Sequence, residues 1–130
     1  MRTLLLVPLL AVAAPAVAAP LTMRVGETWV FAIRNGQPAN ARKSAANAVP
    51  IKGQVRATVS ALGGTTMTLS NETGIAYTFR AELIGADGKV ATARSCTLPA
   101  DNRTAFEGWS QRSVAVRIGT FKRARDQGKC

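Results

Sequence analysis

The sequence predicts an all-β protein: a single-domain antiparallel β-sandwich closed by one disulfide. Three observations carry that expectation. The chain is a series of short runs in which apolar and polar residues alternate, separated by Gly, Asn and Asp, as strands with one buried face require. Its 130 residues suffice for one hydrophobic core and are too few for two. Its only two cysteines, Cys96 and Cys130, have no competing thiol.

The first 18 residues, MRTLLLVPLLAVAAPAVA, do not belong to the sandwich. A positive charge at Arg2, an apolar run from Leu4 to Val17 and the small-x-small triplet Ala16-Val17-Ala18 form the three-part layout of an export signal. Pro8 and Pro15 interrupt the run, which is shorter than the roughly 20 residues that a membrane span needs. Residues 1–18 therefore read as a signal peptide and 19–130 as the domain. No membrane span is expected in the mature chain, and its place is the periplasm or the secreted fraction. An oxidising compartment also fixes how the cysteines read, since a thiol pair there is normally a bridge. A Cys96–Cys130 bond closes a loop of about 35 residues, worth roughly 3 to 4 kcal/mol by chain entropy.

The strands follow in order. ETWVFAIRNGQP sets Trp29, Phe31 and Ile33 on one face and ends at the turn pair Asn35-Gly36. QVRATVSAL turns Val55, Ala57, Val59 and Ala61 inward, and Gly63-Gly64 leads into TTMTLSN with Met67 and Leu69 inside. IAYTFRAELI alternates most cleanly, with Ile75, Tyr77, Phe79, Ala81 and Leu83 facing the core. GADGK closes a hairpin onto VATARSC, and SVAVRIGTF supplies a last strand through Val114, Val116 and Ile118. Two stretches break the alternation: Ala39 to Gly53, rich in Ala and Asn, and Thr97 to Arg112, read as a long loop ending in aromatics. A structureless loop of that length is uncommon and is often functional.

Within this pattern MTLSNETGIAYTFRAEL resembles the strand-turn-strand of immunoglobulin-like domains. The resemblance is one of patterning only. It implies a two-sheet sandwich and carries no function.

Charge is the most unusual property. Lys and Arg number 17 against 7 Asp and Glu, and with Arg2 removed the domain keeps a net charge of +9. Twelve of the cations are arginine, which suits planar, bidentate contacts with phosphate or carboxylate. Such a surface attracts polyanions. Most of the charges are scattered singly, but RIGTFKRARDQGKC holds Arg117, Lys122, Arg123, Arg125 and Lys129 against Asp126 alone. A bond at Cys130 would bring this tail to the Thr97–Gln111 loop, so that Arg103 and Arg112 join it in one positive surface with Trp109 as the loop aromatic.

Absences narrow the chemistry. With no histidine, Ser-His and Cys-His catalysis and the commonest zinc ligand are excluded. No cofactor or metal is expected, and no Gly-rich turn matches a phosphate cradle. Asp101 and Glu107 are the only two carboxylates in one loop, the minimum for a small paired-carboxylate hydrolase. Nucleic acid is disfavoured because Trp29, Phe31, Tyr77 and Phe79 are assigned to the core, leaving few aromatics to stack on bases. Asn71 and Asn102 match the glycosylation acceptor pattern, although Asn is expected at both turns for backbone reasons. The sequence thus favours an exported, non-enzymatic binding or accessory domain engaging an anionic envelope component or an acidic protein. The alternatives are the hydrolase and an inhibitor or accessory subunit of an acidic secreted enzyme, presenting the Thr97–Gln111 loop.

Overall fold

Alternation becomes a sandwich because each strand with one apolar face must bury that face against another. The structure, a computed structural model, describes residues 18–49, 51–101, 103–125 and 130, and among them it contains strands and no helix. The strands are β1 (Leu21–Arg24), β2 (Thr28–Arg34), β3 (Gln37–Ser44), β4 (Val55–Ser60), β5 (Thr65–Asn71), β6 (Tyr77–Ile84), β7 (Val90–Ala93), β8 (Thr104–Trp109) and β9 (Ala115–Arg123). They form a four-stranded sheet, β1-β9-β6-β7, and a five-stranded sheet, β3-β2-β4-β5-β8. Every pairing is antiparallel. Cys96 and Cys130 are joined in a disulfide.

The core is drawn from the alternating faces of both sheets. Phe31, Val55, Ala57, Val59, Met67 and Leu69 from the larger sheet meet Phe79, Ala81, Leu83, Val116 and Ile118 from the smaller. Burying a side chain the size of Phe31 or Leu83 is worth about 1.5 to 3 kcal/mol each. Thr120, with φ of 52°, marks a bulge in β9 opposite the register shift between Thr78 and Arg80. The extra residue resets the phase of the strand, so Phe121 turns inward after Ile118 and Lys122 turns out. Phe121 then stacks on Phe79 at 5.5 Å and meets the edge of Tyr77 at 5.9 Å.

Several expectations need correction. Ala61 and Val114 are exposed, because β4 ends at Ser60 and β9 begins at Ala115, so both lie in turns beyond the cover of the sheets. Tyr77 is only half-buried, at the mouth of the core. The Ala39–Gly53 stretch begins inside β3, an edge strand, and the long loop from Thr97 contains β8, the opposite edge of the same sheet. The immunoglobulin-like stretch is a strand passing from one sheet to the other, since β5 and β6 lie in different sheets. Its turn is built on Asn71, fully buried, whose amide donates to the Ile75 carbonyl at 2.8 Å and the Pro99 carbonyl at 3.2 Å. The Asn71 oxygen accepts from the Thr73 amide and hydroxyl. The side chain is fully engaged and inaccessible as a glycosylation acceptor. Asn102 lies outside the described residues.

Strand direction sorts the connections into two ends. The β5–β6 turn, the Asn35-Gly36 turn, Pro99, Arg103 and Ala124-Arg125 after β9 share one end, tied by the Ala124 amide on the Ala76 carbonyl and the Phe121 amide on the Gly36 carbonyl. The β4–β5, β6–β7 and β8–β9 turns share the other. Gly64 is essential there: its φ is +126°, and a Cβ would stand 2.2 Å from the Trp109 carbonyl oxygen.

Candidate functional site

The site is built from the end of β9 outward. After the bulge the strand leaves the sheet with Lys122 and Arg123 exposed, followed by Arg125. Opposite them runs the start of β6, with Tyr77 facing Arg123 and Thr78 facing Lys122. Arg34 lies at the same end, because β2 finishes at the Asn35-Gly36 turn whose carbonyl holds Phe121. Lys52 reaches it through the Gly53 amide bonded to Glu72. None of these five cations has an ion-pair partner among the described residues. Lys129, assigned to the same cluster from the sequence, lies outside the described residues.

The remaining expected cations are placed differently. Arg103 is near the disulfide, lining the same groove as Cys96 and Cys130, but its guanidinium is bound to Asp101. That partner holds the Asp101 carboxyl below its ordinary value. Arg117 points outward from β9 and bonds Glu82 at 3.1 Å across the strand pair. Arg112 does not join the tail at all. It sits in the β8–β9 turn, at the opposite end of the sandwich, with a length of β9 between it and Arg123. There it borders two open clefts, one with Gly63 and Gly64 and the other with Asp87 and Lys89. Chain distance through the disulfide puts Arg112 close to the tail in the sequence, and the strand direction of β8 and β9 reverses that inference.

Trp109 also needs correction. It is a strand residue packed against the core, and its indole N–H donates to the Arg94 carbonyl at 2.8 Å. The exposed aromatic of β8 is Phe106, with 69% of its surface open. The register shows why: Ala105 and Trp109 pack inward, so Phe106 between them must point out. Glu107 shares the inward face and is 5% exposed. Its Oε1 accepts the Cys96 amide at 2.6 Å. Burial pushes its carboxyl above the ordinary value, and the bond from Cys96 opposes this in part.

Asp101 and Glu107, the candidate hydrolase pair, are thus in opposite situations. One is exposed and committed to a guanidinium, and the other is buried and committed to a main-chain amide. Phe106, Arg34 and Lys52 were missed as site residues. The signal for Phe106 lay in the alternation of TAFEGW, obscured by the charge at the inward position. No protein-family model matches the chain, and no curated protein or solved structure matches it either.

Proposed function

We propose that this chain is an exported, non-enzymatic binding or accessory domain that engages an anionic partner, an envelope component or an acidic protein, through one end of its sandwich. The observation that carries the reading is the convergence of Arg34, Lys52, Lys122, Arg123 and Arg125 at one end without ion-pair partners among the described residues, while Arg103, Arg117 and Lys43 are neutralised by Asp101, Glu82 and Glu27. Exposed arginines with no ion-pair partner among the described residues keep their bidentate donors available to phosphate or carboxylate. The disulfide is compatible with an oxidising compartment outside the cytoplasm. Asp101 and Glu107 each have an existing partner, which favours binding over hydrolysis.

Heparin serves as the test polyanion. Affinity falls steeply with salt, and reversing Lys122, Arg123 and Arg125 to Glu flattens the log–log slope by about one unit for each ion pair with the polymer that is removed. Reversing Arg24, Arg42 and Lys89, which lie on other surfaces, leaves most of the slope in place. Equal effects from the two triple variants would show a diffuse basic surface with no site.

A further inference from the structure

The hydrogen-bond phase of the five-stranded sheet can be followed strand by strand to its edge. Val59 exchanges its amide and carbonyl with Glu27 and Gly26, on the β2 side. Alternate residues of a strand point their main-chain groups to opposite sides, so Arg56, Thr58 and Ser60 bond β5 through Ser70, Thr68 and Thr66. The Glu72 amide on the Gln54 carbonyl continues the same phase. Thr65, Met67 and Leu69 therefore bond β8 through Trp109, Glu107 and Ala105. What remains at the outer edge of β8 is the amide and carbonyl of Thr104, Phe106 and Gly108, and no described residue bonds them.

Among the described residues this edge lacks the usual guards. Natural sheets blunt an edge with proline, exposed Lys or Arg, or a covering segment. The opposite edge, β3, has all three: Pro38, Arg42 and Lys43, and Ala19 bonded to the Pro38 carbonyl. β8 has no proline and no cation. An inward carboxylate is another guard, but Glu107 is already covered and bonded to Cys96, so an added strand need not desolvate it afresh. Beside β8 runs a groove of about 280 Å³, walled by Cys96, Thr97, Pro99 and Cys130, that can receive alternate side chains of a neighbouring strand.

We propose that the free edge of β8 receives an extended acidic segment of a partner protein as an added strand, hydrogen-bonded to Thr104, Phe106 and Gly108. The proposal rests on the anionic-partner reading and specifies the partner as an acidic protein. Main-chain bonds supply affinity in this mode, and alternate side chains supply selectivity. Charge selects the occupant: the edge itself is neutral, Arg94 is exposed beside it and Arg112 follows it, both without an ion-pair partner among the described residues, within a chain of net charge +10. A second copy of the chain would bring the same positive charge to the edge.

The experiment uses the disulfide-bonded domain and a short blocked peptide of alternating Glu and Val, with a Lys-for-Glu peptide as control. Amide exchange is followed by NMR. The Glu peptide slows exchange at Thr104, Phe106 and Gly108 by about tenfold or more, while Ala105, Glu107 and Trp109, already bonded to β5, change little. Gly108→Pro removes one outward donor and weakens the peptide by about threefold to tenfold. Phe106→Glu, an exposed position, weakens it by repulsion and replaces the proline variant if that one fails to fold. Peptide shifts confined to Lys122–Arg125 and indifferent to both variants would overturn strand addition while leaving the polyanion reading intact. Failure of both this peptide and heparin to bind would overturn both. Protection of the same three amides without peptide, rising with protein concentration, would assign the edge to a second copy and overturn the acidic partner, as would equal binding of the Lys peptide.

Discussion

β3 and β8 border the same sheet and are finished in opposite ways. β3 is protected by its own covalent chemistry, since Pro38 has no amide to offer and Arg42 and Lys43 place charge along the strand. Lys43 is further held by Glu27 at 2.6 Å and lies 5.9 Å from the ring centre of Trp29. β8 is held from behind, with Glu107 tied to Cys96, Trp109 to Arg94, and Cys96 to the end of the chain. One edge is closed outward, and the other is anchored inward with no partner for its outer main-chain groups among the described residues.

Removing the anchor is the largest test of this contrast. Replacing Cys96 and Cys130 together by Ser should lower stability by about 3 to 4 kcal/mol in urea unfolding. Amide exchange should quicken along β8 and the segment leading into it, and stay unchanged along β3. An equal increase at both borders would mean that the bond supports the whole sandwich and does not anchor β8 specifically.

A smaller effect is expected at Glu107. Its carboxyl is raised in the folded protein above the ordinary value of 4.5, so the folded state holds the proton more tightly than the unfolded chain does. The associated stability is present below the ordinary value and is lost as pH rises through the folded one. Glu107→Gln keeps an acceptor for the Cys96 amide and removes the titration. The wild type should therefore gain on the variant as pH falls from neutrality toward 4.5 in melting experiments. Glu27, Glu82 and Asp101, held low by cationic neighbours, shift stability in the opposite sense in both proteins and cancel in the comparison. Parallel melting curves across that range would remove Glu107 from the anchor. A modest effect belongs to Pro38→Ala, which should lower unfolding free energy by about 1 to 2 kcal/mol, because Pro38 is buried and alanine gives up two ring methylenes at that position. A loss above about 2 kcal/mol would make Pro38 a structural residue of β3.

The same contrast explains what could be read from the residues. Interior strands such as β4 and β6 must bury one full face between neighbours, so Val55-Ala57-Val59 and Phe79-Ala81-Leu83 write the alternation plainly. Edge strands need not do so. The inward positions of β8 are Ala105, Glu107 and Trp109, of which the central one is a carboxylate, while β3 buries little beyond Pro38 and Ala39. β1 offers Met23 as its one fully buried side chain. Phe121 escapes the pattern because the bulge at Thr120 shifts the phase by one residue, which no alternation rule anticipates. The basic tail was legible as charge density, whereas its company was not: Arg34 and Lys52 arrive, and Arg112 departs, through strand directions that only the fold sets.

The disulfide also decides how the molecule answers a mechanical pull. Tension applied at Cys130 passes through the sulfur bond to Cys96 and bypasses the intervening segment, which includes all of β8 and β9. β9 lies between β1 and β6 and is the strand whose extraction would split the smaller sheet. Force on this end of the chain therefore cannot unzip β9 residue by residue. It must act first on β7 and the crossing beside Cys96, so a tether at the C-terminus loads the border of the sandwich and spares its middle.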